Sequence, residues 1–175
     1  MQNNSFFFQA NAEKNRYRNV LPYDDYRVKL NQLPGDPFSD YINASYIDGY
    51  QLAREFIAAQ GPTANTVGDF WRMIWERDIS VIIMVTNCRE GTDEKCAPYW
   101  SDDDVFERDD FSIVVTKTDQ YAEFIVREME LTRNDGQRPR IVHQLHFTAW
   151  PDFGVPTNPI GMLKFIRKFE HLKVY

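Results

Sequence analysis

The chain has few residues of the kinds that build metal centres or disulfide scaffolds. Among its 175 residues are two cysteines, Cys88 and Cys96, and three histidines. The cysteines do not form a CxxC motif, and no histidine stands at metal-ligand spacing from either of them. A zinc site and a disulfide framework are therefore both disfavoured, and we expect no metal and no cofactor.

Long apolar stretches are absent too. No part of the sequence has the length and hydrophobicity of a transmembrane helix, and the first residues do not form a signal peptide. Because reduced cysteines are typical of the cytosol, we expect a cytoplasmic protein, or one held at the cytosolic side of a membrane. Any membrane attachment would then come from segments outside this chain.

Basic charge is also in short supply. The net charge is −6, whereas a nucleic-acid-binding domain needs a basic surface, so we expect no nucleic acid as a partner. The charges are unevenly placed, because residues 14–29 carry five Lys or Arg side chains and residues 102–110 carry six Asp or Glu side chains. We interpret the acidic stretch as a solvated loop. The basic stretch is either another solvated surface or the border of a site for an anionic substrate.

Hydrophobic residues, by contrast, make up 43% of the chain, and aromatic residues make up 15%. This composition supports one folded domain with a substantial core. Short runs rich in β-branched and aromatic residues predict strands; the runs are residues 41–50, 56–62, 79–86, 112–118, 121–131 and 141–150. The third run is almost wholly apolar, which predicts a strand buried on both faces. In the fifth run the apolar alternation breaks once after Val126, which predicts a bulge there.

Two helices are predicted from capping residues and helical spacing. Asn65 or Thr66 caps a helix that ends near Arg77. Asn158 followed by Pro159 starts a second helix. Its apolar stripe consists of Ile160, Leu163, Ile166 and Phe169. The fold class is therefore α+β, a twisted, mixed β-sheet flanked by helices.

A constrained loop separates the last predicted strand from the last predicted helix. Residues 148–156 read TAWPDFGVP, so Asp152 stands among two prolines, a glycine and two aromatic residues. Proline fixes φ and glycine permits unusual backbone angles, while Trp150 and Phe153 supply apolar surface that shields a carboxylate from water. A simple turn that ends a strand is the alternative interpretation of such a loop.

Six motifs spread along the chain decide between these interpretations. In order, they read KNRYRNVLPYD, DYINASYI, FIAAQGP, FW-x-MIWE, EKCAPYW and TAWPDFGVP. Together they resemble the catalytic domain of the phosphotyrosine-specific protein tyrosine phosphatases, receptor-type members in particular. The resemblance implies the tyrosine phosphatase fold over residues 14–175, preceded by an N-terminal extension of residues 1–13. It also implies phosphotyrosine-containing proteins as substrates, at the cytosolic side of the plasma membrane if the chain is receptor-type.

The resemblance further implies a two-step chemistry. In that family a cysteine thiolate of an HC-x5-R loop attacks phosphorus, and the arginine of the loop holds the phosphate oxygens. An aspartic acid on a closing loop protonates the departing tyrosine oxygen, then acts as base when water hydrolyses the cysteinyl phosphate. By resemblance this residue is Asp152.

Substrate-binding roles follow from the same comparison of motifs. Tyr17 matches the residue that stacks on the substrate ring and sets the depth of the pocket; alternatively, it is a half-buried aromatic that anchors a loop. Asn19 matches a polar residue that holds the substrate backbone, and Phe153 closes over the ring. Arg16 and Arg18 either flank the cleft and favour acidic peptides or are ordinary surface residues.

Three further residues are implied to support the site. Glu90 matches the acid that orients the arginine of the phosphate-binding loop, and Lys95 matches the residue that meets Asp152. Trp150 supports the closing loop. Cys96, which follows Lys95, is expected to pack as a small hydrophobe.

The nucleophile of this scheme has no counterpart in the chain. Six positions after Cys88 stands Glu94, six positions after Cys96 stands Asp102, and no histidine precedes either cysteine. We therefore assign no nucleophile. We expect that the C-terminal part of the family's domain, with its HC-x5-R loop, is missing, and that the chain alone is inactive.

The alternative function is a non-catalytic phosphotyrosine-binding or regulatory domain, like the second domains of receptor phosphatases. Such domains tend to lose the acid of the closing loop and the tyrosine of the KNRY motif. Both Asp152 and Tyr17 are present, which favours the enzyme.

Overall fold

The structure is a computed structural model that describes residues 9–151, 154–156 and 158–172. Its backbone forms two compact units, an amino-terminal unit that ends at Arg77 and a carboxyl-terminal unit that begins at Asp78.

The amino-terminal unit combines a three-stranded antiparallel sheet with one long helix. A short 3-10 helix, Ala12–Lys14, precedes the strands β1 (Arg27–Lys29), β2 (Tyr41–Ile47) and β3 (Phe56–Ala59), which lie in the order β1-β2-β3. Helix α1 (Val67–Glu76) follows, with Thr66 at its N-cap position. Its apolar side chains are buried, including the completely buried Trp71. The bounds of α1 confirm the helix predicted between residues 65 or 66 and 77.

The carboxyl-terminal unit contains a five-stranded mixed sheet in the order β4-β10-β9-β8-β7. Its strands are β4 (Val81–Met84), β7 (Phe106–Arg108), β8 (Phe111–Gln120), β9 (Phe124–Arg133) and β10 (Arg140–Phe147). A small ribbon pairs β5 (Arg89–Glu90) with β6 (Asp93–Glu94), and helix α2 (Pro159–Leu172) closes the described part of the unit. This architecture confirms the predicted α+β class and its mixed sheet.

Strand β10 pairs antiparallel with β9 but parallel with β4. Parallel strands point their carboxyl ends toward the same edge of a sheet, so the segments that follow β4 and β10 leave the sheet side by side. Two hydrogen bonds connect this region: His146 Nε2, at the end of β10, donates to the carbonyl of Thr86 at 2.9 Å, and Asn87 Nδ2 donates to the carbonyl of Thr148 at 3.3 Å. Burial lowers the pKa of His146, which favours the neutral ring. Because a carbonyl oxygen only accepts, the hydrogen bond to Thr86 places the proton of the neutral ring on Nε2.

Two finer predictions about the strands are wrong. Strand β4 lies at the end of its sheet, and Ile83 and Val85 are exposed, so this segment is not buried on both faces. Strand β9 is regular along its whole pairing with β10. The break after Val126 arises because apolar contacts shift to the other face of the strand, and the irregular register lies in β8, at Thr116.

Helix α2 forms as predicted, but it packs through a different side. Asn158 accepts a hydrogen bond from the N–H of Ile160 at 3.1 Å, as expected of an N-cap residue. Phe165 is buried edge-on against Phe124 and Phe147, with ring centroids 5.5 and 5.3 Å away. Three of the four residues of the predicted stripe are exposed, namely Ile160, Leu163 and Ile166.

A buried polar network occupies the other face of the sheet. The side chain of Arg127 is only 6% exposed, and its Nε and Nη2 donate to the two carboxylate oxygens of Asp102 at 2.6 and 3.0 Å. Its Nη1 donates to Gln144 at 3.0 Å, and Gln144 donates to the hydroxyl of Tyr99 at 2.7 Å. The guanidinium also lies 4.9 Å from the ring centroid of Trp100, within the range of a cation–π contact.

This network corrects the interpretation of the acidic stretch. All six of its acidic residues are exposed, as expected of a solvated stretch, but Asp102 is also the charge partner of a buried arginine. The hydrogen bonds from Arg127 lower the pKa of Asp102 below its ordinary value of 3.8. A carboxylate with a lowered pKa stabilises the folded state above its ordinary pKa, and this stabilisation is lost as the pH falls through the folded-state pKa.

We expect Asp102→Asn to lower the free energy of unfolding by roughly 1–2 kcal/mol at neutral pH. Breaking one side of a fully buried pair costs about 3–5 kcal/mol, but Asp102 is 48% exposed and water screens its charge. The difference from the wild type should shrink below about pH 4 as Asp102 takes up its proton. Urea unfolding at several pH values measures it, with the exposed neighbour Asp103→Asn as control. Equal losses for the two variants at neutral pH would contradict the role of Asp102.

Candidate functional site

The segment that contains the KNRY motif divides into an inward half and an outward half. In the inward half, Asn15 Oδ1 accepts hydrogen bonds from the hydroxyl of Tyr41 at 2.6 Å and from Asn43 Nδ2 at 2.9 Å. Tyr41 is completely buried, and this burial raises its pKa to about 12. Asn15 therefore joins the segment to the first residues of strand β2 through neutral hydrogen bonds.

Arg16 belongs to the same inward half. Its Nε donates to the carbonyl of Gly61 at 3.0 Å and its Nη2 to the carbonyl of Pro62 at 2.7 Å, while its backbone N–H donates to Gln60 Oε1 at 2.9 Å. The guanidinium thus holds the loop after β3. This structural role differs from both interpretations offered for Arg16, namely a residue that attracts acidic peptides and an ordinary surface residue. Charged hydrogen-bond donors of this kind are stronger than neutral ones.

Lys14 completes the inward half. Its Nζ lies 3.3 Å from a carboxylate oxygen of Asp69 in helix α1, and its carbonyl accepts from Gln60 Nε2 at 2.8 Å. Gln60 therefore contacts Lys14 and Arg16 together. Because the helix and the end of β3 both hold the segment, its backbone is fixed before it reaches the surface.

The next three residues, Tyr17, Arg18 and Asn19, are exposed. The ring of Tyr17 is half exposed, at 50%. The turn that carries them is closed by the N–H of Val20, which donates to the carbonyl of Tyr17 at 3.2 Å, and by Asn43 Nδ2, which donates to the carbonyl of Val20 at 2.8 Å. Three of the four residues predicted to bind substrate are therefore presented together on one restrained turn.

The loop predicted to carry the acid is described only in part. Asp152 and Phe153 lie outside the described residues, whereas Trp150 and Pro151 are inside them. The ring of Trp150 packs edge-on against Phe147 at 6.3 Å and belongs to the cluster around Phe165. Trp150 thus anchors the start of the loop in the core between the sheet and α2.

A single residue, Glu123, contacts both ends of this loop. Its carbonyl accepts from the N–H and the hydroxyl of Thr148 at 2.9 and 3.1 Å, and its carboxylate accepts from Asn158 Nδ2 at 2.7 Å. A β-carbon at Gly161 would collide with the same carboxylate. Glycine inside a helix is unfavourable by about 1 kcal/mol relative to alanine. The presence of Gly161 in α2 is therefore the sequence feature that indicates a close neighbour at this position, which is Glu123. Within the loop, Gly154 has φ of 90°, which agrees with the backbone freedom predicted for it.

Two of the three predicted supporting residues belong to the β5–β6 ribbon: Glu90 lies in β5, and Lys95 directly follows β6. Glu90 pairs with Asp93 across the ribbon, and the Nζ of Lys95 lies 4.0 Å from an Asp93 carboxylate oxygen. The ribbon follows Asn87, which donates to the carbonyl of Thr148. Glu90, Lys95 and Trp150 therefore belong to segments that leave one edge of the carboxyl-terminal unit, whereas the exposed turn belongs to the amino-terminal unit.

Among the described residues, no three His, Cys, Asp or Glu side chains are grouped so that they could hold a metal ion. No helix in the described ranges is long and apolar enough to cross a membrane.

Comparisons with known proteins give the same family as the motifs. The family model described as protein-tyrosine phosphatase matches residues 11–174. Receptor-type tyrosine-protein phosphatase alpha of Homo sapiens is 49% identical over 168 residues, which cover 93% of this chain and 21% of that protein. Receptor-type tyrosine-protein phosphatase epsilon of Homo sapiens is 50% identical over 173 residues, which cover 95% of this chain and 25% of that protein. The chain thus spans a fifth to a quarter of the length of these relatives.

A solved structure shares the fold. The catalytic domain of human protein tyrosine phosphatase non-receptor type 18 superposes with a TM-score of 0.87 at 36% sequence identity, over 94% of this chain and 59% of that one. The resemblance and the fold predicted from six motifs are confirmed. Because the family model extends over nearly all of its residues, the chain belongs to the protein-tyrosine phosphatase family.

Proposed function

We propose that this chain supplies the substrate-recognition turn and the acid loop of an enzyme that hydrolyses phosphotyrosine in proteins through a cysteinyl-phosphate intermediate. The proposal rests on the exposed turn of Tyr17, Arg18 and Asn19. The side chains of the three residues before this turn bind helix α1, strand β2 and the loop after β3. A turn restrained in this way holds its exposed aromatic residue in one position. An aromatic side chain that stacks on a substrate ring has to be held in one position.

Recognition of the substrate follows from the chemistry of this turn. The ring of Tyr17 stacks on the ring of the phosphotyrosine and forms one wall of the pocket. A deep pocket selects phosphotyrosine over phosphoserine, because only the longer side chain reaches a nucleophile at its bottom. Asn19 hydrogen-bonds the substrate backbone, and Arg18 favours acidic residues beside the phosphotyrosine.

Asp152 acts as the general acid. It protonates the tyrosine oxygen as the bond to phosphorus breaks, and its carboxylate then takes a proton from the water that hydrolyses the cysteinyl phosphate. To donate a proton it has to stay protonated beside the bound substrate. The apolar rings of Trp150 and Phe153 and the negative phosphate all disfavour its ionised form.

Glu90 and Lys95 support this chemistry from the ribbon. Glu90 orients the arginine that holds the phosphate, and Lys95 pairs with Asp152 when the loop closes. The hydrogen bond from Asn87 to Thr148 supports this role, since it joins the segment before the ribbon to the segment before the loop.

The cellular location and the activity of the isolated chain are also part of the proposal. Because the relatives are named receptor-type phosphatases, we place the chain at the cytosolic side of the plasma membrane, within a longer protein. No Cys-x5-Arg sequence occurs in its 175 residues, so the chain by itself has no nucleophile and does not turn over substrate.

The isolated chain, residues 1–175, is expected to release no phosphate from a phosphotyrosine peptide above the rate of a heat-denatured sample. A phosphate-release assay measures this, and binding of the same peptide is followed separately by fluorescence anisotropy. Turnover by the purified chain would contradict the proposal. If that turnover disappeared in Cys88→Ser, Cys88 would be the nucleophile; binding without any turnover in longer products of the gene would favour the regulatory function.

In the longest product of the gene that contains these residues, Asp152→Asn should lower kcat about 10²–10⁴-fold, the usual contribution of a general acid. The loss should be smaller with an aryl phosphate whose leaving group is already a weak base, because that group departs without a proton. Asp103→Asn, an exposed carboxylate of the acidic stretch, is the matched control and should leave kcat unchanged. A loss of only a few-fold on the phosphotyrosine peptide would rule out Asp152 as the acid.

A further inference from the structure

The two cysteines of the chain lie across from each other at the open end of the β5–β6 ribbon. The carbonyl of Cys88 accepts hydrogen bonds from the N–H of Lys95 at 3.0 Å and from the N–H of Cys96 at 3.3 Å. Two residues on one side thus oppose one residue on the other, as in a β-bulge. Neighbouring antiparallel chains hold their α-carbons about 4.5–5.5 Å apart, and a disulfide accommodates about 4.4–6.8 Å.

The two side chains also meet. Both are thiols in the structure; Cys88 is partly exposed, whereas Cys96 is 1% exposed. The Cys96 side chain lies within hydrogen-bonding reach of the Cys88 side chain. The S–H of Cys96 donates to the carbonyl of Ala97, with the sulfur 3.4 Å from that oxygen. The partly exposed sulfur is therefore directly backed by the buried one.

This arrangement makes Cys88 the more reactive of the pair. The hydrogen bond from Cys96 is the main cause that lowers the pKa of Cys88 to about 7, and the charge of Arg127 lowers it further, against partial burial and the charge of Glu94. At neutral pH a large share of Cys88 is then thiolate, the form that attacks oxidants.

We propose that Cys88 and Cys96 form a reversible disulfide when the protein meets a hydroperoxide. The Cys88 thiolate attacks the terminal oxygen of the hydroperoxide, the O–O bond breaks, and an alkoxide or hydroxide leaves and is protonated. The resulting sulfenic acid lies against Cys96, whose sulfur attacks the sulfur of Cys88 and loses its proton as the S–O bond breaks and water departs. Two thiols and one hydroperoxide thus give one disulfide, one alcohol or water, and one further water.

The position of the pair gives this modification a structural consequence. Asn87, which precedes Cys88, donates to the carbonyl of Thr148 at the base of the acid loop. Lys95 precedes Cys96. A bond between the two sulfurs therefore restrains both residues, and it closes the open end of the ribbon covalently.

Peptide mapping of the purified chain tests the proposal. Trypsin cuts after Arg89 and after Lys95, so the two cysteines fall on separate peptides that only a disulfide keeps together. After hydrogen peroxide at neutral pH and alkylation of remaining thiols, the wild type should give the linked peptide pair. Dithiothreitol should abolish it. In Cys96→Ser the sulfenic acid of Cys88 should accumulate and react with dimedone, whereas in Cys88→Ser the thiol of Cys96 should resist oxidation.

A parallel reaction in urea separates the folded arrangement from mere closeness in sequence. The unfolded chain should form the link several-fold more slowly at the same pH, because an ordinary cysteine of pKa about 8.5 is mostly protonated there. A folded wild type that accumulates dimedone-reactive Cys88 without the link would overturn the proposal. Preferential oxidation of Cys96, or equal rates with and without urea, would overturn it as well.

Discussion

The parallel pairing of β4 with β10 is the constraint on which the arrangement of the carboxyl-terminal unit depends. The remaining strands of that sheet pair antiparallel, and a hairpin sends its two strand ends to opposite edges. The parallel pair, by contrast, delivers two outgoing segments side by side to one edge. One becomes the ribbon with Glu90 and Lys95, and the other becomes the loop that Trp150 anchors. The contacts His146–Thr86 and Asn87–Thr148 then hold the two segments in register.

The amino-terminal unit uses polar side chains for a similar purpose. Polar contacts tie three consecutive side chains to the rest of this unit: Lys14 binds helix α1, Asn15 binds β2, and Arg16 binds the loop after β3. The residues that follow are left exposed on a fixed backbone. Three residues of the KNRY motif are thus structural and its tyrosine is presented to solvent, with the division between Arg16 and Tyr17.

Local patterns predicted the elements well because their signals are short-range. These signals depend only on residues that are close in sequence; they are the capping residue Asn158, the helical spacing in residues 67–76 and the β-branched runs. The structure has helices and strands at the positions that these signals predict. Contacts between residues that are far apart in sequence produce no such local pattern. Nothing in the sequence marks Arg127 as a buried residue, and Asp102 was interpreted as the first of a run of solvated acids; only the fold brings the two together. The buried side of α2 was predicted wrongly for the same reason. Phe165 is buried because it packs against Phe124 on β9 and Phe147 on β10, and these contacts are not visible in the spacing of residues along the helix. The motifs brought Tyr17, Arg18, Asn19, Glu90 and Lys95 to attention through family resemblance, whereas Glu123 has no motif at all.

The central claim is that the turn of Tyr17 and the loop of Asp152 serve a cysteine-dependent phosphatase rather than a domain that only binds phosphotyrosine. Sequencing the transcript beyond the codon of Tyr175 tests it most directly. An enzyme requires an in-frame His-Cys-x5-Arg soon after helix α2, and we predict that it is found there. A reading frame that closes or continues without Cys-x5-Arg would contradict the catalytic account.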